Sequence, residues 1–332
     1  MPAGPYNPPV DVERADEGLA DVQFSEALSA RRFADQIEAR RGIPRLTPRT
    51  SEELPGTPPP RTRYPVSLRA AVRELAGARE QVRTFVERDL RVRYRQAVLG
   101  AAWAILQPIF LMVVFSLAFG RIAKVGSEGT PYPLFSYSAL VPWGFFVGSV
   151  TYGISNMLTN APIVRRIYLP RDVIPLASVL SAVVDYAASG VILLGMLIAY
   201  GYGPRLTWLA YPVLVGVLAE FALAATLLAS LITVYFRDTR YAIPTLLQAV
   251  LFATPVAYPA AKVLSALPRD IRSAYPYVNP LAPLMDGFHR VLLHGEWPAW
   301  GPVGSAAVVG AVAAVGGYWL YKRFDPRFAD VI

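Results

Sequence analysis

The sequence predicts an all-α integral membrane protein, and three observations carry that reading. Its 332 residues are 54% hydrophobic and only 17% charged, where a soluble domain has about 25% charged residues. Six apolar segments are each long enough to cross a bilayer, since about 20 residues at about 1.5 Å each span a core of about 30 Å. The basic residues gather in alternate connections between those segments.

The spans follow in order. Span 1 is 99–120, LGAAWAILQPIFLMVVFSLAFG, and spans 2 to 4 are 134–158, 173–200 and 207–235. Span 5, 241–260, is the weakest, with three prolines, and span 6 is 301–321, rich in the small residues that let helices approach closely in lipid. Pro108, Pro142, Pro244 and Pro255 each remove a backbone donor inside a span. Such breaks are tolerated where a neighbouring helix or a wet cavity satisfies the freed carbonyl.

Charge sets the expected orientation. The first 20 residues lack an apolar core, which predicts a cytoplasmic N-terminus. The cytoplasmic segments then hold Arg83, Arg88, Arg91, Arg93 and Arg95, next Arg165, Arg166 and Arg171, next Arg237 and Arg240, and last Lys322, Arg323 and Arg327. Those thirteen outnumber the seven outside: Arg121, Lys124, Arg205, Lys262, Arg269, Arg272 and Arg290. Both termini are expected inside.

Residues 66–97 read as an amphipathic helix on the cytoplasmic leaflet. Leu68, Val72 and Leu75 recur at helical spacing, as do Val82, Phe85, Val86 and Leu90. Glu87 with Arg91 and Asp89 with Arg93 are acid-before-base pairs four apart. The arginines beside span 1 fit anionic headgroups, at about 1 kcal/mol each, or serve only as a topology anchor. The loop at 160–175, NAPIVRRIYLPRDVIP, is fenced by prolines around about two helical turns. It reads either as an amphipathic plug for a groove on a partner or as a positive-inside loop. Residues 261–300 are too long for a turn, and the run 280–295 is too short and too charged to span, which predicts re-entrant or interfacial short helices. Residues 1–65, with ten Asp/Glu and nine Arg among many prolines, read as a disordered extension. The spans then occupy a domain at 98–323, with a C-terminal tail at 324–332.

Several chemistries are excluded. There is no cysteine and there are only two histidines, His289 and His294, so thiolate and histidine-cluster metal sites are absent. No G-x-x-x-x-G-K-[ST] phosphate loop, G-x-S-x-G elbow or H-E-x-x-H occurs. The chain is therefore not expected to be an enzyme or to carry a cofactor or metal. Asp185 and Glu220 are acids inside spans, functional candidates because their burial in lipid is costly; hydrogen bonding between helices is the competing account. Tyr132, Phe135, Tyr137, Trp143, Phe145 and Phe146 crowd the outer half of span 2. They form either an interfacial aromatic belt or a pathway whose ring faces stack on sugars.

Together, RDLRVRYRQAVLGAAWAILQP (88–108), RRIYLPRDVIP (165–175), YFRDTRY (235–241) and YPYVNPLAPLMDGFHRVLLHG (275–295) resemble the membrane subunits of ABC-2-type exporters of polysaccharides and teichoic acids. The resemblance covers roughly residues 80–325. It implies a permease of an ATP-driven exporter in the bacterial inner or plasma membrane, two copies forming the pore, and two separate ATPase subunits holding the ATP and Mg. It also implies a lipid-linked glycan as cargo, of the O-antigen, capsule, teichoic-acid or cell-wall galactan type, and no nucleic-acid partner. The basic helix then resembles the family's interface helix. Ile163, Val164, Arg165, Arg166, Ile167 and Tyr168 resemble its coupling helix, and 261–300 its outer re-entrant helices. Arg88, Arg91 and Arg95 become candidates for attracting a lipid phosphate, and Tyr132, Phe135, Tyr137, Trp143 and Phe146 for lining the pathway. An exporter of a drug or simple lipid is the alternative, ahead of a membrane-embedded glycosyl- or acyltransferase.

Overall fold

The computed structural model describes residues 77–95, 100, 102–160 and 171–324. Among these residues every regular element is helical. Five helical segments are long and apolar enough to cross a membrane.

Helix α1, Arg79–Arg95, begins with Glu80 and ends with Arg93 and Arg95, complementing its dipole. Its apolar stripe of Val82, Phe85 and Val86 rests on Val173 and Leu176, so protein covers the face expected to meet lipid. The part of the predicted helix before residue 77 lies outside the described residues. The predicted pairs along α1 do not form. Glu87 instead binds Arg83 at 2.8 Å, while Asp89 is drawn inward by Asn156 and Arg93 finds a partner on another helix.

Helix α2 is Ala102–Phe115, continued as a π-helical turn over Ser116–Ile122. Pro108 deletes the N–H that would bond the carbonyl of Ala104. The hydroxyl of Ser189 donates to that carbonyl instead, at 3.0 Å. Helix α3, Tyr132–Thr159, is the centre of the bundle: 78% of its membrane-length window is buried, against 6% for α2. Helix α4 is Val173–Ala199, and α5, Tyr211–Tyr235, follows a 3-10 turn at Leu206–Ala210. Gly153 of α3 sits so close to α5 that a Cβ there would lie 2.4 Å from Thr226 Cγ2.

The predicted fifth span is shorter than expected. Helix α6 is Thr239–Ala253, and its 15 residues cover only about 22 Å. It stops because Thr254 precedes Pro255, and a residue before proline is driven from helical to extended backbone; Thr254 has φ −110 and ψ 138. Four short helices follow: α7 Ala260–Ala266, α8 Arg269–Arg272, α9 Tyr275–Val278 and α10 Leu281–His289. Helix α10 is buried along most of its length, and Gly295, at φ +69, ends the turn that continues it. Helix α11, Trp300–Phe324, brings Gly310 and Gly317 against α5, as the small residues of span 6 predict.

The bundle has two distinct ends. At one, Tyr321 donates to the carbonyl of Arg171 at 3.1 Å and Lys322 pairs with Asp172 at 3.0 Å. At the other, Tyr132 donates to the carbonyl of Ala257, Thr207 to that of Val291, and His294 meets Glu128 at 3.1 Å. Connections expected on one side of the bilayer therefore gather at one end.

Candidate functional site

Helix α1 and the central helices meet at Asp185. This acid, 12 residues into α4, accepts from Arg93 at 2.7 Å, from the Tyr152 hydroxyl at 2.9 Å and from the Tyr94 hydroxyl. The guanidinium of Arg93 also lies 3.4 Å from the centre of the Tyr152 ring, a cation–π contact. Arg93 and Asp185 keep only 22% and 15% of their side-chain exposure. Burial, with the Asp185 bond, pushes the Tyr94 phenol up to about 12, so it remains a donor at neutral pH. The network therefore neutralises an acid that would be costly alone inside a span.

A second polar layer lies one helical turn nearer the end of the bundle. Asn156 donates to Asp89 at 2.5 Å and to Ser178 at 2.8 Å. Arg88 binds the side-chain oxygen of Asn160 and lies 3.7 Å from Asp89. Burial raises the Asp89 carboxyl pKa, and Arg88 and Arg93 oppose that shift.

Asp185 and Tyr152 also line a cavity of about 410 Å³ between α2, α3, α4 and α6. Trp143 supplies part of its wall, while Gln107 and Gln248 bring amides from α2 and α6. Pro108 of α2 and Pro244 of α6 both border it, and both helices have few buried residues.

The sequence-predicted residues separate accordingly. Of the arginines, Arg88 is engaged with Asn160, and Arg91 and Arg95 are exposed. Of the aromatics, Trp143 borders the cavity. Phe146 packs 5.6 Å from Trp143, and Tyr132 is tied to Ala257. Phe135 is stacked on His289 at 4.0 Å, and Tyr137 donates to the carbonyl of Ser189 at 3.4 Å, both fully buried. The two intramembrane acids are not brought together: Asp185 joins α1 and α3, while Glu220 packs against Gly310 of α11. Residues 163–168 lie outside the described residues. Tyr94 and Tyr152 were not singled out from sequence, and Arg93 only as part of the basic run and as a partner for Asp89; the signal was Asp185 itself, since a buried acid needs a donor.

The ABC-2 type transporter family matches residues 80–293. The O-antigen export system permease protein RfbA of Myxococcus xanthus is 29% identical over 261 residues, covering 79% of this chain and 98% of that protein. A protein of the same name from Klebsiella pneumoniae is 24% identical over 246 residues, covering 74% of this chain and 92% of its own length. The family match spans the basic helix, the cavity and the buried α10 together, and the chain belongs to the ABC-2 type transporter family.

Proposed function

We propose that this chain is the membrane-spanning permease of an ATP-driven exporter that moves a lipid-linked polysaccharide of the O-antigen type out of the cytoplasm. The observation that carries the proposal is the alignment with O-antigen export permeases along nearly their whole length. Two copies form the pore, and each pairs with a separate ATPase chain that holds the ATP and Mg. The absence of a phosphate loop from the whole sequence agrees with that division of labour.

In this reading the chain crosses the inner or plasma membrane six times with both termini in the cytoplasm. The fifth crossing in chain order is α6 together with the extended turn after Thr254, since the segment leads from the end of α5 to Ala257 beside Tyr132. Helix α1 is the interface helix, residues 163–168 make the coupling contact with the ATPase, and the segment from α7 to α10 is the outer re-entrant region. Arg91 and Arg95, exposed on α1, are free to attract the lipid phosphate; Arg88 serves that role only by leaving Asn160. Capsule, teichoic-acid and galactan carriers share the same chemistry.

Purification of the tagged full-length chain from its own host in mild detergent tests the proposal. An equimolar Walker-motif ATPase together with a glycolipid supports it. A chain that arrives with an ATPase but a drug-like or simple-lipid cargo supports the alternative, and one that arrives with no ATPase refutes both.

A further inference from the structure

The cavity between α2, α3, α4 and α6 discriminates among occupants by its charge. Its volume, about 410 Å³, falls in the range that holds small molecules. Among the described residues bordering it, Asp185 alone is charged. That charge is already balanced by Arg93, which in turn is fixed on the Tyr152 ring. A phosphate entering here would meet a carboxylate and would have to strip it of Arg93. A cation would have to displace an ion pair already formed at 2.7 Å. Neither sign of ion gains.

Uncharged hydrogen-bonding capacity is what remains. Gln107 and Gln248 stand on two walls, and each amide both donates and accepts. Thr151 adds a hydroxyl from α3. A carboxylate offers about four acceptor positions; Arg93, Tyr152 and Tyr94 take three of those on Asp185, which leaves one. The hydroxyls of Tyr186 and Ser189 are already bonded, to Tyr211 and to the carbonyl of Ala104, and much of the remaining wall is apolar, with Trp143 and leucines. We propose that this cavity binds a neutral, hydroxyl-rich ring with one apolar face, with Gln107, Gln248 and the remaining acceptor of Asp185 as its hydrogen-bonding groups. The assignment deepens the exporter reading, which supplies a source for such a ring in a glycan; the binding chemistry rests on the cavity.

The absence of cysteine from the whole chain makes a direct test available. Gly144 borders the cavity, and a Cβ built there meets nothing within 4 Å, so Gly144→Cys places one thiol on the wall without a clash. The full-length protein, with whatever ATPase accompanies it, is placed in lipid nanodiscs. Labelling by a small water-soluble thiol reagent is timed with dodecyl maltoside or dodecyl phosphocholine, both below micellar concentration. These probes share a tail and differ in carrying a sugar or a phosphate head.

Maltoside at twice its dissociation constant should slow labelling by about threefold through mass action, while phosphocholine should leave it unchanged. Gln107→Leu or Gln248→Leu in the same background should remove most of that protection, and a thiol from Val92→Cys on the exposed face of α1 should be indifferent to both probes. Equal protection by the two probes overturns the proposal in favour of an apolar-tail site. Stronger protection by phosphocholine, or none by either, overturns it as well. The ATPase content of the same preparation is read separately. Its absence sinks the exporter reading, while sugar-selective protection would leave the cavity assignment standing.

Discussion

Replacing Asp185 by Asn removes the charge on which three donors from α1 and α3 converge. Breaking a fully buried ion pair costs about 3–5 kcal/mol. Arg93 and Asp185 retain 22% and 15% exposure, so water recovers part of that cost. A value of about 2–3 kcal/mol, typical of hydrogen bonds to a charged group, is the better expectation. At about 2–4 °C per kcal/mol for a chain of this order of size, the loss corresponds to a fall of roughly 4–12 °C in Tm. The assay is the fraction of purified protein that stays monodisperse by gel filtration after heating. Arg93→Gln should cost a similar amount, and the double variant little more than either single one, because each alone already breaks the pair. A double variant whose loss equals the sum of the two single losses within about 0.5 kcal/mol would show that the residues act independently and would refute the argument.

Other positions make separate predictions. Ser189→Ala should cost about 1–3 kcal/mol by leaving the carbonyl of Ala104 unsatisfied, and should become nearly neutral in a Pro108→Ala background, where the helix supplies its own N–H; a persistent loss there would count against the repair. Gly153→Ala should cost about 1–3 kcal/mol by overpacking α3 on α5, with Thr226→Ser, which removes the clashing methyl, restoring part of the Tm. Raising the folded-state pKa of Tyr94 from 10.0 to about 12 stabilises the protein below the unfolded pKa, and that stability is lost as pH rises from 10 to about 12; Tyr94→Phe should flatten this part of the stability–pH curve. Arg91→Gln with Arg95→Gln should leave Tm unchanged while lowering substrate-stimulated ATP hydrolysis by the complex, whereas Arg88→Gln should also lower Tm because it frees Asn160; unchanged stimulation in the first variant would remove these arginines from the substrate entrance.

Hydropathy and charge, which act locally along the chain, were enough to mark the five membrane-length helices among the described residues to within a few residues and to anticipate the alternation of their ends. They overestimated span 5, because a window average does not register that Thr254 is forced out of the helix by the proline after it. The periodicity of α1 was legible too, but not what its apolar face would meet: lipid and the flank of α4 are equally apolar to a hydropathy scale. The same limit hid the pairings. Spacing four apart favoured Asp89 with Arg93, yet Asn156 and Asp185 lie 67 and 92 residues away from those partners in sequence, and only the packing of α1 along α4, within side-chain reach of α3, makes them the better choice. The sequence by itself therefore determined that acids and prolines had to be compensated within the membrane. The tertiary structure alone decided by which residues, because a buried charge or an orphaned carbonyl is satisfied by whatever donor the fold brings within about 3 Å.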